Sequence, residues 1–220
     1  MMKRKERGAG ARRGPAAGPL GGLGAPVRPL ISPSALRARV RALGRQITRD
    51  YAGRTLTVVC VLKGAILFFS DLVRCIEVPV ELEFIGATSY ANATETSGEV
   101  RISMDVARPL AGKDVLLVED IVDTGLTAAF LMSLLQARNP KSLALCALLE
   151  KPARARTQVD IAYRGFVIDD VFVVGYGLDW AGGWRNLPYL GVVQAEAKAK
   201  PGATGLRRRL PRRAGPGPPG

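Results

Sequence analysis

The sequence predicts one α/β domain built on a largely parallel, doubly wound sheet. Short apolar runs recur through the middle of the chain, and stretches of helical periodicity alternate with them. The two ends differ in composition from everything between them. With 220 residues, the chain has room for one such domain and little else.

Taken in order, residues 1–30 and 195–220 are rich in Gly, Pro, Ala and Arg and poor in aromatic and β-branched residues, so they are expected to be disordered basic tails around a domain at 31–194. Ser32-Pro33 gives an N-cap and a first-turn proline, and Leu36, Val40, Leu43 and Ile47 follow at helical spacing. The apolar run Leu56 to Leu62 predicts a strand ending at Lys63-Gly64, and Ile66, Leu67, Phe69, Leu72, Val73 and Ile76 trace a helix face. Val80, Leu82 and Phe84 alternate with Glu81 and Glu83, as do Val100, Ile102 and Met104 with their neighbours, which predicts two half-buried strands. Between them lies a polar stretch from Ser89 to Gly98. Val115-Leu116-Leu117-Val118 reads as a strand buried on both faces. A helix follows at about 127–137, with Phe130, Leu131, Leu134 and Leu135 facing inward, and further strands fit 143–149 and 171–176.

Charge and composition narrow the function. The net charge of +13 resembles a nucleic-acid signature until it is located. Each tail carries seven Lys/Arg against a single Glu, which leaves 18 basic and 17 acidic residues in 31–194. The domain itself is nearly neutral. There is no histidine, which excludes Ser–His–Asp hydrolysis, Cys–His proteolysis and every His-ligated metal site. Cys60, Cys75 and Cys146 are odd in number, widely spaced and without a CxxC pair, and are expected to be small buried hydrophobes in a reducing compartment. No apolar run approaches membrane-span length, and the basic start lacks the apolar segment of a signal peptide. The expected location is cytoplasmic.

The chemistry concentrates in Val115-Leu116-Leu117-Val118-Glu119-Asp120-Ile121-Val122-Asp123-Thr124-Gly125-Leu126-Thr127. A buried strand delivers two adjacent carboxylates, then a third, into a Thr-Gly-x-Thr turn that opens a helix. In parallel sheets ligands bind at the carboxyl ends of strands, so this loop lies where a site belongs. Free N–H groups at a helix N-terminus, two hydroxyls and a glycine form a phosphate cradle. Carboxylates beside it would repel a bare phosphate, but they suit Mg²⁺ or ribose hydroxyls next to that phosphate. By itself an Asp-Thr-Gly is equally a helix-capping cluster; the whole arrangement favours the cradle. It is neither a P-loop nor a Rossmann GxGxxG.

The run VLLVEDIVDTGLT resembles the phosphoribosyl pyrophosphate (PRPP) signature of type I phosphoribosyltransferases, in its hypoxanthine–guanine branch. The resemblance covers roughly 31–194 and includes CVLKGA at 60–65, TSY at 88–90, LLEKP at 148–152 and FVVGYGLDW…RNLPY at 172–189, in that order. It implies a small hood over the sheet and a mobile lid loop. The activity it implies is purine salvage: transfer of the phosphoribosyl group of PRPP to hypoxanthine or guanine, giving the nucleoside monophosphate and pyrophosphate with Mg²⁺ as cofactor.

Roles follow from the resemblance residue by residue. Glu119 and Asp120 hold the ribose hydroxyls and Mg²⁺, and Asp123 is the general acid/base near purine N7. The backbone of Asp123, Thr124, Gly125, Leu126 and Thr127 takes the 5′-phosphate. Lys63, Gly64 and Arg185 meet pyrophosphate, and the Lys63-Gly64 peptide is expected to be cis. Lys151 donates to the purine 6-oxo group, which favours 6-oxopurines over adenine. Phe172 stacks on the base, Val173 meets its edge, and Asp179 approaches a second Mg²⁺ and, through its main chain, the purine 2-position. Ser89 and Tyr90 begin the lid. Read singly, Lys63 also fits a solvated strand end, Phe172 a core residue and Arg185 a surface arginine. The family further implies a homo-oligomer, a dimer or tetramer.

The match departs from the family at Leu126, where some members carry lysine, and at Trp180, where tyrosine is common, with Gly182-Gly183 beside it. An arginine often found four residues after the Lys151 position is Ala155 here, flanked by Arg154 and Arg156. These differences bear on substrate range. Two rivals are a xanthine-preferring enzyme and an RNA-binding regulator on the same fold, the latter supported by Arg207-Arg208-Arg209 and Arg212-Arg213. The retained carboxylates argue for the enzyme, with weak RNA affinity of the tails compatible with it.

Overall fold

A computed structural model of the chain describes residues 27–92 and 95–193, and the side chains of all of these except 89–92 and 95–99. The six-stranded sheet is built from β2 (Leu56–Leu62), β3 (Val80–Asn92), β4 (Glu95–Met104), β5 (Asp114–Val122), β6 (Ser142–Glu150) and β7 (Tyr163–Val167), in the order β4-β3-β2-β5-β6-β7. Every neighbouring pair is parallel except β3–β4, an antiparallel hairpin with Asn92 opposite Glu95. A second, three-stranded antiparallel sheet, β1-β9-β8, joins β1 (Val27–Ile31), β9 (Leu190–Val193) and β8 (Val173–Val174). It is the small hood.

Helices α1 (Pro33–Asp50), α2 (Ile66–Val73) and α3 (Leu126–Gln136) cover the sheet on both faces. Central strands divide their side chains between two cores because successive residues point to opposite faces. Val58, Cys60, Leu116, Val118, Cys146 and Leu148 pack with Leu36, Val40 and Leu43 of α1 and with Phe68 and Leu72 of α2. Val59, Val61, Val115, Leu117, Leu145 and Ala147 pack with Ala128, Leu131 and Leu135 of α3. Double burial explains why β2, β5 and β6 read as continuous apolar runs. Leu117 has no exposed surface. Its truncation to Ala is expected to cost about 2–5 kcal/mol in urea unfolding, without a change in the activity of the folded fraction.

Ser32 caps α1 as expected, its hydroxyl accepting from the Ala35 amide at 3.2 Å. Several expectations need correction. The domain begins before 31, because Val27–Ile31 pairs with β9 and escapes the tail composition through that distant partner. The remaining tail assignments, 1–26 and 194–220, lie outside the described residues. The apolar stretch 171–176 contributes only Val173–Val174 to a strand, and in the hood rather than the main sheet. Phe130 is turned outward at 39% exposure, since the inward stripe of α3 is Ala128, Leu131 and Leu135. On β3, Glu83 is buried and Leu82 exposed, because the Glu83 carboxylate accepts from the Ala107 amide at 2.8 Å. All three cysteines are free; Cys60 and Cys146 are buried, but Cys75 is only half-buried. No helix among the described residues is long and apolar enough to cross a membrane.

Candidate active site

The carboxyl ends of β2 and β5 open into a cleft of about 500 Å³. Its walls include Lys63, Gly64, Glu119, Asp120, Asp123, Thr124, Gly125, Leu126, Thr127, Asp179 and Arg185. Eleven residues singled out in the sequence thus converge on one cavity, from four separate stretches of chain.

Each wall has a local cause. β5 runs straight into a tight turn at Asp123-Thr124, and Gly125 adopts φ +80° before α3 begins. A side chain there would be strained by that backbone and would collide with the Thr157 carbonyl, so glycine is required twice over. The N-cap Gly125 offers no side-chain cap; the Leu126 amide makes a long hydrogen bond of 3.5 Å to the Thr124 hydroxyl, and this first turn lines the cleft. Gly64 is needed for a different reason. A Cβ at this position would run into the Asp120 carboxylate. The cis peptide in this loop is Leu62–Lys63, one bond before the expected one.

Glu119 and Asp120 are the electrostatic centre. Glu119 Oε2 is buried without a hydrogen-bond partner. Burial pushes the Glu119 carboxyl well above the ordinary range, and the charge of Asp120 adds to the effect. Burial also raises Asp120, against the opposing pull of backbone hydrogen bonds and of Arg185. Two carboxyls so placed suit a cation or hydroxyl donors. Cys60 lies beneath them, and burial together with their charges pushes its thiol to about 12, so it is no nucleophile at neutral pH.

The segment after β8 carries the other wall. Arg185 donates from Nη1 to the Gly177 carbonyl at 2.7 Å and pairs with Asp179 Oδ1 at 2.6 Å, while the Gly182 amide donates to Asp179 Oδ2 at 2.8 Å. Arg185 is therefore fixed at the cleft rather than free on the surface. Among the described residues no three His, Cys, Asp or Glu side chains converge into a cation site, so Asp179 stands apart from the Glu119–Asp120 pair.

Lys151 does not line the main cleft. It opens onto an adjoining cavity of about 450 Å³, shared with Val122, Asp123, Glu150 and Pro152. Val122 and Asp123 border both cavities. The Lys151 ammonium is 5% exposed and lies 3.9 Å from both Asp123 Oδ2 and Asp170 Oδ1. Phe172 is 55% exposed and makes a T-shaped contact with Trp180, ring centroids 6.4 Å apart; it is not a core residue. Val173 is buried in β8 and, like Phe172, lines neither cavity. Ser89 and Tyr90 fall on the β3–β4 hairpin, where only the backbone is described.

Sequence reasoning passed over Gly177 and Asp170 and left Arg154 and Arg156 undistinguished. Gly177 has φ +106° and backs onto the Gly64 carbonyl, and its signal was only a glycine between motif residues. Arg154 and Asp170 surround Asp123 and Lys151, and nothing local distinguishes Arg154 from Arg156.

Comparison with known proteins decides the family. The model of the phosphoribosyl transferase domain matches residues 32–180. The hypoxanthine-guanine phosphoribosyltransferase of Dictyostelium discoideum is 48% identical over 169 residues, which cover 75% of this chain and 94% of that one. This chain belongs to the hypoxanthine-guanine phosphoribosyltransferase family. Its relative from Mycobacterium tuberculosis H37Rv is 46% identical over 170 residues, covering 74% and 84%. It also matches the bifunctional TilS/HprT protein of Listeria monocytogenes at 45% identity, spanning only 26% of that longer chain. Among solved structures, the Bacillus anthracis hypoxanthine-guanine phosphoribosyltransferase superposes with a TM-score of 0.72 at 44% identity, covering 76% of this chain and 98% of that one. The Staphylococcus aureus hypoxanthine phosphoribosyltransferase gives 0.73 at 40% identity, covering 76% and 91%. The mostly parallel sheet, hood and few helices are those of this phosphoribosyltransferase family.

Proposed function

We propose that this chain transfers the phosphoribosyl group of PRPP to hypoxanthine or guanine, releasing pyrophosphate. The observation that carries the proposal is the adjacent Glu119–Asp120 pair, with Glu119 Oε2 buried and without a hydrogen-bond partner, set beside a helix N-terminus whose N-cap is a glycine. An anion-binding turn and an anionic pair side by side suit a ligand with phosphate at one end and cation-bridged ribose hydroxyls at the other. PRPP has that form.

Each residue then has a task. Backbone N–H groups over Thr124 to Thr127 bind the 5′-phosphate, and Leu126 serves because only its amide is used. Glu119 and Asp120 orient the ribose hydroxyls, and their charge opposes the positive charge that develops on the ribose ring. Lys63 and Arg185 receive the negative charge of the departing pyrophosphate. Asp123 exchanges a proton with the imidazole ring of the purine. Lys151 donates to the 6-oxo group, and Phe172, an exposed aromatic ring, stacks on the base. The orphaned carboxylates fit Mg²⁺, which Glu119 and Asp120 would hold together with substrate oxygens; Asp179, held by Arg185, would approach a second ion. Bound there, Mg²⁺ neutralises charge between ribose and pyrophosphate. By the same reading the protein is a cytoplasmic homo-oligomer, as its family resemblance implies.

The test offers PRPP and Mg²⁺ with hypoxanthine, guanine, xanthine, adenine and uracil in turn, and follows nucleotide formation. Hypoxanthine and guanine are expected to react, and EDTA to stop them. Xanthine as the best base would move the preference onto Trp180 and its neighbours. No conversion of any base by folded protein would reject the activity.

A further inference from the structure

Asp123 is held from two sides. Arg154 Nε lies 3.0 Å from its Oδ1, and Lys151 Nζ lies 3.9 Å from its Oδ2. The Arg154 contact is ionic and not aligned as a hydrogen bond, so the buried Oδ1 keeps its lone pairs unengaged. Arg154 is itself anchored, Nη1 reaching Asp170 Oδ1 at 3.4 Å, an oxygen that Lys151 approaches at 3.9 Å.

The backbone bearing Arg154 is tied to the phosphate turn. A single 3₁₀ turn, Pro152–Arg154, follows Lys151. The Lys151 amide donates to the Val122 carbonyl at 2.9 Å, and the Arg156 and Thr157 amides donate to the Thr124 carbonyl at 2.9 and 3.1 Å. The segment carrying Arg154 is thus bound to the residues on either side of Asp123. Arg154 also lines the main cleft, and Asp123, which it contacts, borders both cavities.

We propose that Arg154 is a positioning residue that sets the Asp123 carboxylate for proton exchange with the purine, with Asp170 anchoring the guanidinium. The inference rests on the acid/base reading of Asp123 given above. An ionic contact without hydrogen-bond alignment fixes the direction of a carboxylate while leaving a lone pair for the substrate. A guanidinium does this better than an ammonium, because it is planar, always charged, and touches both Asp123 and Asp170 at once. Arg154 closes the 3₁₀ turn Pro152–Arg154, and from there its guanidinium reaches Asp123 and Asp170.

The experiment is steady-state kinetics of the full-length wild type, Arg154→Ala, Arg154→Lys and Asp170→Asn, with Mg²⁺, PRPP and hypoxanthine varied, and with thermal melts of each. Arg154→Ala is expected to lower kcat about tenfold or more while KM for PRPP stays within about twofold. Arg154→Lys should recover part of the loss, and millimolar guanidinium chloride should restore Arg154→Ala saturably. Asp170→Asn should show a smaller loss in the same direction. Unchanged kcat in Arg154→Ala would overturn the proposal. So would a raised KM for PRPP at constant kcat, which would make Arg154 a phosphate ligand. A lower melting temperature with no rescue by guanidinium would make it structural and equally overturn the proposal. An inactive wild type would reject the activity itself, whereas an active wild type with insensitive variants rejects only the role of Arg154.

Discussion

Replacing Asp123 by Asn is expected to lower kcat by about 10²–10⁴-fold while leaving KM for PRPP within a few-fold. The asymmetry follows from how position 123 is used. Its backbone belongs to the phosphate turn, which Asn preserves. Its side chain borders both the main cleft and the cavity onto which Lys151 opens. An amide of the same shape occupies that boundary without exchanging a proton, so binding survives and turnover does not. Steady-state kinetics with PRPP and hypoxanthine varied independently would show the split. A large rise in KM for PRPP at unchanged kcat would assign Asp123 to phosphate binding instead.

Glu119→Gln is expected to stabilise the unliganded protein and to cripple it as an enzyme. Glu119 is buried and Asp120 beside it is half-buried, with burial and mutual repulsion raising the Glu119 carboxyl. A glutamine amide removes one charge, and it carries N–H groups that can donate to Asp120. The expected gain is about 0.5–2 kcal/mol for the unliganded chain, a stability gained where function needs a strained site. The same change removes a carboxylate needed opposite the developing ribose cation, so kcat/KM should fall by about 100-fold or more. Thermal melts with and without Mg²⁺ and PRPP read both effects. The variant should melt higher than wild type alone and gain less from the ligands. A destabilised variant with a full ligand shift would contradict the account.

What the sequence reveals depends on whether a segment's partner is local. The three strands buried on both faces, β2, β5 and β6, are legible because double burial leaves an unbroken apolar run. Helix α1 is legible through Ser32-Pro33, a cap and a first-turn proline lying next to the helix they start. The hood is not. Val27–Ile31 contains Pro29 and follows a Gly/Pro-rich stretch, and only antiparallel pairing with Leu190–Val193 makes it a strand. β7 is a five-residue strand with a glycine at its centre, defined by its pairing with β6. Glu83 reads as an outward residue of an alternating strand, and the Ala107 amide that keeps it buried comes from a loop far along the chain.

The site divides in the same way. Glu119 through Thr127 are contiguous, so strand, carboxylates and phosphate turn could be read as one chemical unit. Lys63, Arg185 and Asp179 were reached through resemblance, and the fold brings them to the same cleft. Arg154 shows the limit of spacing arguments. In the run Ala153-Arg154-Ala155-Arg156 after Lys151-Pro152, spacing does not distinguish the two arginines, and the contact of Arg154 with Asp123 is visible only in the fold.

The central claim is that one cleft exchanges pyrophosphate for a purine on the same ribose. Its most direct test measures hypoxanthine consumed and pyrophosphate released together, in one reaction with limiting PRPP and Mg²⁺. The account predicts a one-to-one ratio, with no pyrophosphate released when base or Mg²⁺ is withheld and no hypoxanthine consumed without Mg²⁺. Pyrophosphate released at full rate without any base, or hypoxanthine consumed without pyrophosphate, would contradict it.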